Sequence, residues 1–434
     1  MKTAIRGATL TFVADPFLHD AEQAMRYCQD GLVLMEDGLI VAHDQADRLL
    51  PALDPSVVVT HYPDALILPG FIDTHVHYAQ IEMVAAFGEQ LIDWLHRYTF
   101  CTEQRFADPD YARGVAELFL DEQLRNGVTT SSVFCTVHPQ SVDALFEAAA
   151  RRNVRLLAGK VCMDRNAPAE LLDCPQRAYD HSRALIERWH GRGRAEYVIT
   201  PRFAPTSSPA QLEALGALAA EYPDVAIQSH LSENLAEVAW MRELFPECSS
   251  YTDVYRRYGL LRPRAIYGHG IHLAEDEYAM LAESGSALAH CPTSNFFLGS
   301  GCFNIREAKR RERPVAVGLA SDLGAGTSFS MLRTMGAAYQ AAQLNGYPLT
   351  APQAFYLATR GGAEALGLGH RLGSLEAGKE ADLVVLNRKP TPFIDFRMSH
   401  ARDLQEALFI LMTLGDDRAV SATWVAGQPV WQAG

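Results

Sequence analysis

Short apolar runs alternate with amphipathic stretches over about 300 residues from position 66 onward. The runs are bounded by turn residues, which is typical of strands buried in a parallel sheet, and the intervening stretches have helical periodicity. We predict strands at 70–75, 129–134, 154–161, 196–201, 225–230, 265–269, 286–290 and 315–321, with helices such as 110–126, 141–152, 209–222 and 276–284. Eight such units indicate the α/β class and a (β/α)8 TIM-like barrel, whose chemistry lies at the C-terminal ends of its strands.

The two ends of the chain are rich in strands instead. The first part predicts strands at 7–13, 31–35, 39–43 and 57–61, and a turn at 36–38 that makes a hairpin of the middle two. The last part predicts helices at 350–366 and 404–413 and strands at 381–386 and 422–431, the latter with a turn at 427–428. We therefore expect residues 1–67 and 372–434 to form one small β-sandwich domain beside a barrel domain of residues 68–371.

Composition and charge narrow the classes of function. The 434 residues are 48% apolar and carry a formal net charge of −14, which argues against nucleic acid as the main partner but not against a free nucleobase. The eight cysteines form no C-x-x-C pair, so neither a disulfide framework nor the C-x-x-C type of zinc deaminase is indicated. The N-terminus lacks an apolar signal core, and no run of about 18 apolar residues occurs. We expect a cytoplasmic protein with no membrane partner.

Histidines and an aspartate stand at the predicted strand ends. His75 and His77 end the first barrel strand and, being two apart, point to the same side. His230 ends the fifth strand and Asp322 follows the eighth. Singly, such a histidine is a polar rim residue and such an aspartate a helix cap. Together, three imidazoles and a carboxylate at one barrel mouth predict a site for zinc or ferrous iron.

Other polar residues near these ends are candidates for catalysis. Glu233 lies three residues past His230, and His269 ends the sixth strand. A bound metal ion lowers the pKa of its water, so a group is needed to move the released proton. Glu233 is the candidate shuttle, Asp322 its partner base, and His269 the group that holds the water or polarises the attacked bond. The alternative for Glu233 is a capping carboxylate of the following helix.

Three further residues suit a planar ring. Gln80 lies three residues beyond His77, and Arg202 and Phe203 end the fourth strand. An arginine can donate to a carbonyl, a phenylalanine can stack, and a glutamine both donates and accepts, which fits a heterocycle with a carbonyl and an amino group. Read alone, Arg202 is more often a surface ion-pair residue, and its place at a strand end raises the pocket role to about equal weight. Two-metal barrels use a lysine from strand four to bridge the metals. In this chain strand four ends in Arg202, and Lys160 lies in strand three. We therefore expect one metal ion.

Several segments resemble a known family. The run P-G-F-I-D-T-H-V-H, with a third histidine after strand five, a fourth after strand six and an aspartate after strand eight, resembles the amidohydrolase superfamily. Within it, the chain resembles the guanine deaminases over nearly its whole length. The segments that carry the likeness are HVHYAQ at 75–80, WLHRYTF at 94–100, GKVCMD at 159–164, PRFAPTSS at 201–208, SHLSEN at 229–234 and HCPTSN at 290–295.

This resemblance implies an activity and a cofactor. It implies one Zn2+ per chain, with Fe2+ as the other metal, and deamination of guanine to xanthine and ammonia by water. The residues it implies are His75, His77, His230 and Asp322 for the metal, Gln80, Arg202, Phe203 and Glu233 for guanine, and His269 beside the metal-bound water. It also implies a homodimer. Ala79 departs from the proline expected in many relatives, which bears on loop rigidity more than on chemistry.

Two other functions stay open at this point. One is a deaminase or chlorohydrolase for a related amino-heterocycle such as a triazine or a pterin, which a substrate panel distinguishes. The other is a non-catalytic scaffold that kept the fold, which metal analysis distinguishes because such a protein would be expected to lose metal ligands.

Overall fold

The computed structural model describes residues 2–88 and 90–433. The strands are β1 Lys2–Phe12, β2 Met25–Glu36, β3 Leu39–Gln45, β4 Val58–Pro69, β5 Phe71–His77, β6 Val128–Phe134, β7 Arg155–Gly159, β8 Val161–Cys162, β9 Ala195–Pro201, β10 Ala226–Leu231, β11 Ala265–His269, β12 Ala287–His290, β13 Ala316–Leu319, β14 Leu383–Asn387, β15 Val420–Val425 and β16 Gln428–Gln432.

The α-helices lie mostly between these strands. They are α1 Ala21–Ala24, α2 Ala46–Leu49, α3 Leu91–Trp94, α4 Phe100–Gln104, α5 Pro109–Arg125, α6 Pro139–Arg152, α7 Pro175–Trp189, α8 Pro209–Glu221, α9 Leu235–Leu244, α10 Tyr251–Arg257, α11 Glu275–Ser284, α12 Pro292–Phe297, α13 Ile305–Ala308, α14 Met331–Leu344, α15 Ala351–Leu357, α16 Arg360–Ala365, α17 Pro392–Met398 and α18 Leu404–Leu414.

Eight parallel strands form the barrel, and the predicted fold class is confirmed. Their order is β5–β6–β7–β9–β10–β11–β12–β13, and the short β8 pairs with β9. The hydroxyl of Thr74 in β5 donates to the carbonyl of Leu319 in β13 (3.0 Å), which brings the two ends of the sheet together. Every residue of β5 and β6 is buried, as expected for a parallel sheet covered on both faces. All eight predicted barrel strands are present.

The terminal segments come together in a second sheet. Seven strands pair in the order β16–β15–β14–β4–β1–β2–β3, so the N- and C-terminal parts of the chain share one hydrogen-bonded layer. The predicted hairpin is confirmed, because Glu36 pairs with Leu39 across the turn. Strand β4 is longer than expected and ends at Pro69, where the chain passes directly into β5. The boundaries at 67/68 and 371/372 stay a prediction.

Two predicted elements are wrong in detail. The predicted helix 350–366 is two helices, α15 and α16, because Thr359 has φ −129° and ψ −99° and its hydroxyl donates to the carbonyl of Phe355 (2.7 Å). The predicted strand 154–161 is interrupted between β7 and β8 at Lys160. Among the described residues, no helix has the length and apolar character needed to cross a membrane.

Candidate metal centre and active site

Five polar side chains meet at the C-terminal mouth of the barrel. His75 and His77 stand at the end of β5, His230 in β10, His269 at the end of β11, and Asp322 three residues beyond β13. Four of them are 1–4% exposed, and His230 is partly buried at the wall of the cavity described below. The parallel strands of a barrel all end at this mouth, which is why residues up to 247 positions apart come together.

Short distances join the five side chains. Oδ1 of Asp322 lies 3.4 Å from Nε2 of His75 and 3.3 Å from Nε2 of His77. Nε2 of His77 is 3.2 Å from Nε2 of His230, and Nε2 of His269 is 3.7 Å from Oδ2 of Asp322. One ligand atom from each of His75, His230, His269 and Asp322 can be chosen so that all four lie within 4.8 Å of one another. The cluster can therefore hold a metal ion.

The protonation of these groups also fits a metal ion. Burial lowers the pKa of His75 to about 4, and burial and the neighbouring imidazoles lower the pKa of His230 well below its ordinary value. Both rings are therefore neutral near pH 7, the form that binds metals. Burial opposes ionisation of Asp322, yet the imidazoles of His75 and His77 beside it hold its pKa well below its usual range. Neutral imidazoles with one carboxylate are a donor set for a divalent metal ion.

Neighbouring groups orient the imidazoles. Nδ1 of His230 lies 2.7 Å from the carbonyl oxygen of Arg202, so it carries the proton and Nε2 keeps its lone pair. Nδ1 of His269 lies 2.9 Å from Oδ1 of Asn295 in the same manner. Within the described part of the chain, Nε2 of His75 and of His269 has no hydrogen-bond partner. A buried imidazole nitrogen that has no hydrogen-bond partner is available to bind a metal ion.

Asp73 ties together the two strand ends that carry the cluster. Its carboxylate accepts hydrogen bonds from the backbone N–H of Ser321 (3.0 Å) and of His75 (3.3 Å), and from the hydroxyl of Ser321. Close packing also needs Gly268, because a Cβ there would lie 2.4 Å from Cε1 of His75. The ends of β5 and β13 are thus held against each other.

Glu233 is not the cap of the helix that follows it. The N-cap of α9 is Asn234, whose side chain accepts from the N–H of Ala236, and Glu237 closes the capping box. Glu233 instead lines the cavity, with Oε2 at 3.3 Å from Nε2 of His269 and Oε1 at 3.4 Å from the hydroxyl of Ser300. Burial raises the pKa of Glu233 to about 7. The capping alternative is therefore wrong.

A cavity of about 400 Å³ opens beside the cluster. Every predicted substrate or catalytic residue lines it, namely Gln80, Arg202, Phe203, Glu233, His269 and Asp322. Its apolar wall comes from Leu91, Trp94, Leu95 and Leu298. An apolar slot with a few convergent polar groups is the usual form of a site for a small flat ligand.

Arg202 is buried, so its reading as a surface ion-pair residue is wrong. Its side chain is 3% exposed, and Nη1 donates to both carboxyl oxygens of Glu103 at 2.9 and 2.8 Å. Gln80, in the turn after β5, donates through Nε2 to Oε1 of Glu103 (3.0 Å). Phe203 is 4% exposed and lies edge-on to His230. Lys160 is buried in an ion pair with Asp173.

Sequence reasoning gave no role to Glu103, Trp94, Asn295 and Asp73. Trp94, Asn295 and Asp73 lie in segments that carry the resemblance, although no role was given to them there, whereas no motif in the sequence contains Glu103. Within the described residues, the buried indole N–H of Trp94 has no hydrogen-bond partner, although the ring lines the cavity.

Comparison with known proteins gives the family. Residues 66–430 match the amidohydrolase family, and the guanine deaminase of Escherichia coli K12 is 49% identical over 409 residues, 94% of this chain and 93% of that protein. The chain belongs to the guanine deaminases of the amidohydrolase family. A solved structure of E. coli guanine deaminase has 47% sequence identity and a TM-score of 0.96, with full coverage of both chains. The C. acetobutylicum guanine deaminase, solved with guanine in its active site, has 28% identity and a TM-score of 0.88 over 99% of this chain and 100% of that one.

Proposed function

We propose that the protein hydrolyses guanine to xanthine and ammonia with one zinc ion per chain. The observation that carries this proposal is the cavity itself, in which the metal-type cluster and the pair Gln80–Arg202 face the same space. Membership in the guanine deaminases supports guanine as the substrate.

We assign the metal to His75, His77, His230 and Asp322. The distances from His77 Nε2 to His230 Nε2 (3.2 Å) and to Asp322 Oδ1 (3.3 Å) support including His77. His269 also reaches this centre, but its Nε2 lies nearer to Glu233 (3.3 Å) than to Asp322 (3.7 Å), which favours a role in catalysis. Zinc and ferrous iron both suit three imidazoles and a carboxylate. When bound, either ion supplies a water of lowered pKa.

Three residues move or hold protons around the substrate. Glu233 takes a proton from the attacking water and passes it toward the amino group that leaves as ammonia, which the buried position of its carboxyl allows. His269 orients the water, since Asn295 holds its Nδ1–H and the lone pair of its Nε2 faces the cavity. Asp322 is the second base.

The remaining residues bind the purine. Arg202 donates to the carbonyl oxygen, Gln80 exchanges hydrogen bonds with the ring edge, and Phe203 packs against the ring face. The apolar side chains of Leu91, Leu95 and Leu298 exclude bulk water, which strengthens these polar contacts. A flat ring that carries a carbonyl and an amino group is the ligand that this arrangement suits.

The proposal is tested by turnover and metal content measured on one sample. Zinc-loaded protein should convert guanine to xanthine, followed by ultraviolet absorbance, and release one ammonia per guanine. Removal of the metal with a chelator should abolish turnover, and addition of Zn2+ or Fe2+ should restore it and identify the better metal. If neither xanthine nor ammonia is formed, the proposal is wrong. A higher kcat/KM on an amino-triazine or a pterin than on guanine would favour a deaminase or chlorohydrolase for those heterocycles. A protein that contains no metal and is insensitive to chelators would favour the non-catalytic scaffold.

We also propose a cytoplasmic homodimer. All eight cysteines, which lie within the described residues, are free thiols, as suits a reducing compartment. Phe393 and Phe396 on α17 are each 64% exposed and offer apolar surface for a partner chain. Light scattering after gel filtration should give twice the mass of one chain, and a monomer at micromolar concentration contradicts the dimer.

A further inference from the structure

Glu103 has no assigned role, yet its carboxyl lies between the two polar side chains that face the ring of the substrate. It belongs to α4, is 0% exposed, and accepts hydrogen bonds from Gln80 and Arg202. These partners are 23 and 99 residues away in sequence, and they come from the turn after β5 and the end of β9. Glu103 therefore joins two separate parts of the pocket.

The charge of Glu103 decides which way the Gln80 amide points. A carboxylate only accepts hydrogen bonds, so Gln80 must turn its NH2 group toward Glu103. Its carbonyl oxygen is then on the other side, where it lies close to Gly324, since a Cβ on that glycine would come within 2.2 Å of Oε1. Gln80 also lines the cavity, so the acceptor left on its amide is the one that a ring N–H can use.

The same carboxylate fixes the guanidinium of Arg202. Nη1 spans both oxygens of Glu103, and two of the five N–H groups of the guanidinium are on that atom. The N–H groups of Nη2 and Nε are on the rest of the plane and can donate to a carbonyl oxygen. Glu103 also neutralises Arg202, whose buried positive charge would otherwise be costly.

We propose that Glu103 is a positioning residue that sets the donor and acceptor pattern of the pocket and so selects purines with a carbonyl next to a ring N–H. This inference rests on the proposed function. In guanine, the 6-oxo group faces Arg202 and the neighbouring N1–H faces Oε1 of Gln80. A purine without these two groups leaves both side chains unpaired, and sites built on buried hydrogen bonds reject such ligands strongly.

The test compares two unreactive ligands on the zinc-loaded protein. Hypoxanthine has the 6-oxo group and N1–H, and unsubstituted purine has neither. Isothermal titration calorimetry gives the ratio of their dissociation constants. In Glu103→Gln, the neutral amide no longer dictates the orientation of Gln80, and we expect the preference for hypoxanthine to fall by about tenfold or more. Zinc content should stay at the wild-type value, and the KM for guanine should rise by a larger factor than kcat falls.

Matched variants keep the test decisive. Glu82→Gln, an exposed change two residues from Gln80, should leave the preference unchanged. Glu103→Asp is the second variant if Glu103→Gln does not fold, because it keeps the charge but its shorter side chain cannot reach both partners, and we expect at least about a threefold loss of preference. A purely structural role would weaken both ligands equally. An unchanged preference in a folded Glu103 variant overturns the inference, whereas a wild-type protein that prefers hypoxanthine but does not turn over guanine contradicts the proposed function alone.

Discussion

Glu233 brings its carboxyl into the cavity one residue before the N-cap of α9. Its Oε2 lies 3.3 Å from Nε2 of His269, and the side chain is almost fully buried. Burial beside the cluster of histidines and Asp322 places this carboxyl where the proposed reaction moves a proton. The same residue at a solvent-exposed helix start would only cap the helix. At the scale of single residues, surroundings decide chemistry.

Replacement of Glu233 should therefore separate metal binding from turnover. We expect Glu233→Gln to keep its zinc and to lower kcat on guanine by about 10²- to 10⁴-fold, because the amide cannot transfer the proton. Elemental analysis and an absorbance assay on the same sample measure the two quantities. Glu283→Gln, an exposed change on α11, is the control and should be fully active. Wild-type turnover in Glu233→Gln would remove Glu233 from the mechanism.

The N-terminus of α9 is the element that holds Glu233. Oε2 of Glu237 accepts from the backbone N–H of Glu233 (2.8 Å) and of Asn234 (3.1 Å), and its Oε1 accepts from the hydroxyl of Tyr251 (2.6 Å). The preceding residue, Ser232, has φ +49°, a left-handed conformation that is unfavourable for most residues. The helix start thus stabilises a strained loop that carries the side chain of the proposed proton shuttle.

Loss of this cap should affect both stability and rate. In Glu237→Gln, only one acceptor oxygen remains, so either the two backbone N–H groups or the Tyr251 hydroxyl loses its acceptor. We expect a loss of about 1–3 kcal/mol in the free energy of unfolding and about a tenfold lower kcat. Glu243→Gln on the same helix is exposed and should change neither quantity. Thermal melting and guanine turnover provide the readouts. A fall in melting temperature with unchanged kcat would show that the loop does not depend on the cap.

A buried ionic network joins the terminal sheet to the base of the barrel. Glu380, just before β14, pairs with Arg155 of β7 and with Arg194 before β9, and Arg194 also pairs with Asp382. Arg155 is 3% exposed and donates as well to Glu196 (2.9 Å). None of these groups lines the cavity. At the scale of the molecule, they connect the two ends of the chain to the barrel.

Removal of the charge on Glu380 should destabilise the folded protein without lowering its rate of turnover. We expect Glu380→Gln to lose about 2–4 kcal/mol, since it leaves buried guanidinium groups undercompensated, with kcat/KM unchanged at 25 °C. Burial opposes ionisation of Glu380, but Arg155 and Arg194 prevail and lower its pKa. As the pH falls, Glu380 therefore takes up a proton at a higher pH in the unfolded chain than in the folded protein. The stabilisation is full above the ordinary glutamate pKa of about 4.3 and is lost as the pH falls below it.

Melting temperatures at two pH values check this prediction. The difference between wild type and Glu380→Gln should be several degrees at pH 7 and should be smaller at about pH 3, below the ordinary glutamate pKa. Glu312→Gln, an exposed change, is the control. An equal difference at both pH values contradicts the assigned electrostatic role.

The barrel and its strand ends could be predicted because both depend on short-range pattern. His75, His77, His230, His269 and Asp322 all stand where an apolar run ends, and parallel strands bring such ends to one mouth. Glu103 could not be predicted in this way. It lies inside a helical segment, and its partners lie in other elements, so no local spacing marks it. The break at Thr359 was missed for a related reason, because a side-chain hydrogen bond to Phe355 accompanies a break in what reads as one continuous helical segment.

The sequence by itself determined the order of the elements, the residue types at the barrel mouth and the family, because periodicity and motif spacing are properties of the chain. Only the tertiary structure decided how these residues face one another. It showed that Asn234 and Glu237 cap α9, so that the side chain of Glu233 is not needed as a cap and lines the cavity, and that Arg202 is buried against Glu103. Burial and pairing across distant segments arise when the chain closes on itself, and they set the charge and orientation of the groups that do the chemistry.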